Sequence, residues 1–171
     1  MSAIVATPIS TPHLDLLPLQ AQHAEEMATV LTSPDPYTFT GGSPPARQEL
    51  RARYERMIAG SPDPAVSWCN WVIRLRDEGC LAGTVQATVS TGSRPAAEVA
   101  WVVGLPWQGR GIATEATLAL ITWLRQQSVQ TVIAHIHPGH RASAAVARAA
   151  GLAPTSCRHD GERRWRLLLQ P

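Results

Sequence analysis

Lysine is missing altogether: all 15 basic residues of this 171-residue chain are arginines. That excludes a Walker A phosphate loop, which needs Gly-Lys-Ser/Thr. Net charge is equally sparse. Fifteen arginines against 13 acids leave +2 with histidine neutral, and the arginines form no basic run, so the footprint of a nucleic-acid-binding domain is absent. Only three cysteines occur, Cys69, Cys80 and Cys157. They are far apart and form no C-x-x-C, which excludes a zinc knuckle and a disulfide framework and predicts reduced thiols in a cytoplasmic protein. No His/Cys/acid group has metal-ligand spacing, so no metal is expected. Apolar runs never approach the roughly 18 residues of a membrane span, and the opening MSAIVATPISTP lacks a basic segment followed by a long apolar one. A soluble chain is expected, neither exported nor membrane-bound. No internal repeat is found, and the length fits a single domain over residues 1–171 that buries roughly two-thirds of its unfolded surface.

What is present is concentrated in residues 98–125, EVAWVVGLPWQGRGIATEATLALITWLR. Residues 98–103, rich in β-branched and aromatic side chains, read as a strand ended by Gly104, Leu105 and Pro106. Farther on, Ile112, Ala116, Ala119, Leu120 and Trp123 fall on one helical stripe, with Thr114, Glu115, Thr122 and Arg125 off it. Between strand and helix lies QGRGIA, residues 108–113. The opening turn of a helix leaves N–H groups unpaired at the positive end of the macrodipole, where an anion is favoured. Gly109 and Gly111 let phosphate oxygens approach the main chain and allow positive φ, and Arg110 adds a mobile charge. A dinucleotide fingerprint fails, because Thr114 stands where its third glycine belongs.

On these residues the chain resembles the GNAT N-acetyltransferase superfamily, whose acyl-CoA loop is Gln/Arg-x-x-Gly-x-Gly/Ala; Gln108, Gly111 and Ala113 fill it in order. The longer run EVAWVVGLPWQGRGIATEA is similar to the strand, loop and helix of the Rim-type ribosomal-protein N-terminal acetyltransferase branch. The resemblance implies that residues 108–113, with Gly109, Arg110 and Ile112 among them, hold the pyrophosphate of acetyl-CoA or another acyl-CoA. It also implies that backbone groups of Val102 and Val103 hold the pantetheine and polarise the thioester carbonyl. The two are ordinary core valines at the same time.

The remaining chain punctuates clearly. Strands are predicted over 13–17, 70–76, 81–89, 98–103, 131–137, 154–158 and 163–169. Helices are predicted over 21–32, on Ala24, Met27, Ala28 and Leu31; over 46–59, on Leu50, Tyr54, Met57 and Ile58 with a Glu49–Arg53 pair outside; over the central stretch; and over 141–150, capped by Gly151. A punctuated loop, YTFTGGSPP, joins the first two helices, and hairpin turns are predicted at 77–79 and at Asp160-Gly161. The order β-α-α-β-β-β-α-β-α-β-β is that of the GNAT fold: α+β, with a mixed central sheet of about seven strands and flanking helices.

Further site residues follow from the resemblance. Rim-type sequences commonly carry Asn-x-x-Ser ahead of a helix ending Gly-Phe; here His140-Arg141-Ala142-Ser143 and Gly151-Leu152 stand in those places. His140 departs from the pattern, yet an imidazole donates one hydrogen bond to a cofactor as an amide does. Ser143 has two readings, a hydrogen bond to the cofactor or a cap on its own helix. Ala147 stands where many relatives place a tyrosine acid; a thiol of pKa about 8.5 leaves readily without it. Glu98 is the candidate base, as several members use a glutamate on this strand through water; its other reading is a solvated strand end. Glu115, in a first helical turn, reads as structural. His135 and His137 share one strand face and read as core or supporting residues. Of six tryptophans, Trp101 and Trp123 read as core, Trp68 and Trp107 as cleft or dimer contacts.

The reading is an acetyl-CoA-dependent N-acetyltransferase in which a primary amine attacks the thioester directly in a ternary complex, with no Ser-His-acid set for hydrolysis. The acceptor is a protein or peptide N-terminus or a small amine, recognised mainly by residues 21–60, and the assembly is a monomer or homodimer. The alternative is a non-catalytic acyl-CoA-binding module.

Overall fold

Period-two burial builds the sheet. In the fourth strand Val85, Ala87 and Val89 are buried while Thr84, Gln86 and Thr88 between them are not, the alternation of a strand covered on one face. The computed structural model describes residues 3–32 and 46–169; the loop YTFTGGSPP and the Ser-Pro-Asp-Pro stop before it lie outside them. Along the chain come β1 (Ile9–Ser10), β2 (Leu14–Pro18), α1 (His23–Val30), α2 (Arg47–Ala59), β3 (Val66–Leu75), β4 (Leu81–Ser90), β5 (Ala96–Val103), α3 (Ile112–Gln126), β6 (Thr131–Ile136), α4 (Arg141–Ala149), β7 (Ala153–His159) and β8 (Glu162–Leu168). The strands form one eight-stranded sheet in the order β1-β2-β3-β4-β5-β6-β8-β7. Every neighbouring pair is antiparallel except β5 and β6. Helices α3 and α4 cover one face through Leu120, Leu124 and Ala147, against Trp71, Val85, Val99 and Val132. On the other face α1 and α2 form a smaller core of Met27, Val30, Leu50, Tyr54 and Val72.

Trp71 is the largest fully buried side chain. It meets Trp123 edge-on at 4.9 Å between ring centroids. Both indole N–H groups are satisfied by Thr7, Trp71 at its carbonyl and Trp123 at its hydroxyl, so the N-terminal segment is tied to sheet and helix together.

The mixed α+β sheet and the element order agree with expectation, with local corrections. β1, two residues long, is too short to leave a pattern and brings the predicted seven strands to eight. β3 begins earlier than predicted, at Val66. Ile58 is 50% exposed and Met57 only partly buried, because α2 packs through the narrow Leu50–Tyr54 stripe alone. Its ion pair joins Arg51 to Glu55 at 3.4 Å in place of Glu49 to Arg53. The turns behave as their glycines require: Gly79, Gly151 and Gly161 all have positive φ.

Candidate functional site

β5 and β6 are paired over a short distance only, Ala96 with Thr131, Ala97 with Val132 and Glu98 with Ile133. β5 stays hydrogen-bonded to β4 as far as Val103, and β6 to β8 as far as Ile136. Each strand therefore follows its other neighbour, and the two part. The opening is a cleft of about 690 Å³, with Val102, Val103, Gln108 and Ile112 on one wall and Ile136, His137, His140 and Ser143 on the other. Trp101 and Trp107 line it as well. Trp101 is thus a partly buried wall residue, where the sequence suggested simple core; Trp123 is core as expected.

The phosphate-loop candidate lies at the mouth. Gly109 and Gly111 have φ of +75° and +78°, values that cost an L side chain of order 1–2 kcal/mol. Gly111 is the N-cap of α3. Among the described residues no side chain caps the first N–H groups of α3, and Gly111, Ile112, Ala113 and Thr114 all border the cleft. Gln108 turns inward, its Nε2 donating to the Val103 carbonyl at 3.0 Å. This bond joins loop to strand end. Arg110 does not line the cleft: its guanidinium donates to Glu78 Oε1 at 2.6 Å. The expected mobile charge is therefore anchored on the β3–β4 turn. Arg110 in turn holds the Glu78 carboxyl below the usual carboxylate range, with a smaller contribution from a Trp107 hydrogen bond.

Glu98 stands at the closed end, where the strands begin to part. Its Oε1 is 2.8 Å from Nδ1 of His135, and the Nε of Arg164 is 3.2 Å from His135 Nε2. A guanidinium only donates, so His135 Nε2 accepts, and Nδ1 therefore carries the proton and donates to Glu98. The result is a chain, Arg164 to His135 to Glu98. His135 is 10% exposed at its side chain and Glu98 51%, so the carboxylate retains an open oxygen toward solvent. His137, past the end of β6, accepts a hydrogen bond from the Gly139 N–H.

On the facing helix, Ser143 Oγ lies 3.3 Å from His140 Nε2. Neither side chain caps α4, so the capping reading of Ser143 is not the geometry found. This also puts a serine and a histidine side by side where sequence reasoning saw no such set. Ala147 is fully buried in the core; the residue of that helix turn facing the cleft is Val146. Glu115 is structural as read, accepting from Thr11 Oγ1 and from the His13 N–H. Among the described residues no group of His, Cys, Asp and Glu is arranged to hold a metal ion, and no helix is long and apolar enough to cross a membrane.

Residues 13–153 match the family described as Acetyltransferase (GNAT) domain. The chain belongs to the GNAT acetyltransferase family. No curated protein matches it, but many solved structures share the fold. The Microcin C7 self-immunity acetyltransferase MccE, solved with acetyl-CoA and AMP, superposes with a TM-score of 0.77 at 14% identity, over 93% of this chain and 94% of that one. RimJ of Mycobacterium smegmatis, solved with CoA-disulfide, gives 0.76 at 18% identity over 95% and 86%. RimL, the ribosomal L7/L12 α-N-protein acetyltransferase in complex with CoA, gives 0.74 at 15% over 95% and 98%. The GNAT resemblance and the Rim-type likeness are therefore both found at the level of fold, and solved GNAT relatives hold acetyl-CoA or CoA. Two residues bordering this candidate site escaped sequence reading. Glu78 sits in a predicted hairpin turn with no motif, and Arg164 reaches His135 only through the antiparallel pairing of β6 with β8.

Proposed function

We propose that this chain transfers the acetyl group of acetyl-CoA to a primary amine, a polypeptide N-terminus or a small-molecule amine. The observation that carries the reading is the parting of β5 from β6, continuous with an uncapped helix start. The cleft admits an extended arm beside Val102 and Val103, and the α3 N-terminus offers unpaired N–H groups to a pyrophosphate. Backbone groups at the end of β5 polarise the thioester carbonyl. The amine nitrogen attacks the carbonyl carbon, the C–N bond forms and the C–S bond breaks. CoA departs as thiolate, and the amine's proton passes through water to Glu98. An α-amine of pKa about 8 is already partly neutral, whereas an alkylamine near 10.4 must spend roughly 4 to 5 kcal/mol to deprotonate at pH 7. The carboxylate at Glu98, oriented by His135, favours catalysis over a purely binding role.

The test is CoA release from acetyl-CoA with and without a panel of amines. Release that depends on added amine is expected. Equal release without acceptor overturns the reading. The Ser143–His140 contact is the one feature favouring thioester hydrolysis or an acyl-serine route; amine-independent release abolished by Ser143→Ala would identify it.

A further inference from the structure

The inference rests on the acetyl-transfer reading and concerns the acceptor. Helices α1 and α2 cover only part of their face of the sheet, at the end marked by Val72 and partly by Val102. Toward the other end no described residue of α1 or α2 covers the face. Following the pairing from strand to strand, one row reads Trp68, Thr88, Glu98, Ile133 and Arg166. Directly opposed residues project to the same side of a sheet, so this row shares one face. None of them is buried, and Trp68, at the β3 end of the row where β2 no longer pairs, is 39% exposed.

Charge along this surface is ordered. Glu98 supplies a carboxylate at the end of the cleft. Two strands away β8 presents Arg166 and, on the same face, Arg164 opposite His135. Glu162 lies farther along that face, toward the cleft mouth, where it lines the wall. The ion pairs among the described residues engage Arg47, Arg51, Arg74, Arg76 and Arg110, so Arg166 has no carboxylate partner there. We infer that the acceptor is a polypeptide N-terminus with an acidic side chain within its first four residues, laid across this face with its amine at Glu98 and its carboxylate at Arg166. Strands lie about 4.8 Å apart, which separates Glu98 from Arg166 by about 10 Å. The amine and carboxylate of a free amino acid are only about 3 Å apart and cannot engage both. An extended peptide advances about 3.4 Å per residue and covers the span by its third or fourth position. A polyamine would meet Arg164 and Arg166 with like charge.

The experiment is acetyl transfer to matched short peptides carrying Glu, Gln or Lys at the third and fourth positions. At low salt kcat/KM for the Glu peptide should exceed that for the Gln peptide by about two- to fivefold, as an exposed charge pair allows, with the Lys peptide poorest. The difference should shrink near 1 M salt, where the screening length is about 3 Å. Arg166→Gln should bring the Glu/Gln ratio close to unity, and Arg166→Glu should favour Lys. Each readout is a ratio within one protein, so loss of folded material does not imitate it. A Glu/Gln ratio of unity in the unaltered chain, or one untouched by both substitutions, overturns the inference. Turnover of small amines but no peptide overturns it while leaving acetyl transfer standing, whereas absence of CoA release with every amine overturns both.

Discussion

Glu98, on the last paired rung of β5 and β6, meets His135 just beyond it, carboxylate oxygen to imidazole nitrogen at 2.8 Å. Because Arg164 donates to the other ring nitrogen, the imidazole is held as the tautomer that donates to Glu98. Glu98→Gln keeps shape and removes proton acceptance, so the chemical step should slow about 10²- to 10⁴-fold with acetyl-CoA affinity nearly unchanged. The deficit should shrink between about pH 6 and pH 10 as the acceptor amine deprotonates in solution. His135→Phe should lower the rate less and leave that pH trend in place. Single-turnover transfer across the range checks both; equal rates for Glu98→Gln and the parent would return Glu98 to a solvated strand end.

Two glycine-to-alanine changes should fail for different reasons. At Gly111 an added Cβ meets nothing within 4 Å, so the cost is the left-handed backbone alone, roughly 1–2 kcal/mol. At Gly83, opposite Val103, the added carbon would collide with the Val102 carbonyl oxygen. Gly83→Ala should therefore push β4 from β5, cost more than Gly111→Ala, and weaken acetyl-CoA binding by distorting the cleft wall. Gly111→Asp should fold yet lose the thermal shift that acetyl-CoA confers, about 2.7 kcal/mol at 100 times its dissociation constant in the parent. Chemical denaturation with and without acetyl-CoA separates the cases.

Glu78 holds Arg110 away from the cleft and places a carboxylate near the loop of residues 108–113, the candidate pyrophosphate site. Glu78→Gln should free the guanidinium and tighten acetyl-CoA binding by up to about fivefold at low salt. Calorimetric titration at low and high salt checks it; weaker binding would mean that the pair serves to brace the loop.

Glu115 yields a pH prediction. Burial raises its pKa, but hydrogen bonds from Thr11 and His13 outweigh burial and leave it lowered. A depressed folded value contributes stability above the unfolded pKa of about 4.3 that is lost as pH falls through the folded value. Thermal unfolding of the parent and of Glu115→Gln should thus differ at neutral pH and converge below the ordinary carboxylate range. A constant difference at all pH values would refute the linkage.

Local chemistry determined much of this protein by sequence alone. Short strand-like runs bounded by turn residues marked β3 to β6, the stripe through Ile112, Ala116, Leu120 and Trp123 marked α3, and Gly109 and Gly111 marked a turn open to positive φ, because each signal resides in neighbouring residues and their allowed backbone angles. The GNAT order and the loop of Gln108, Gly111 and Ala113 were legible for the same reason. What sequence could not contain was register. Whether Arg110 faces an anion or Glu78, whether Ala147 or Val146 looks into the cleft, and that Arg164 touches His135 depend on how strands and helices distant in the chain are set beside one another. Only tertiary packing decides that, since a one-residue slip between β6 and β8 would turn Arg164 to the opposite face and remove the donor that fixes His135 against Glu98.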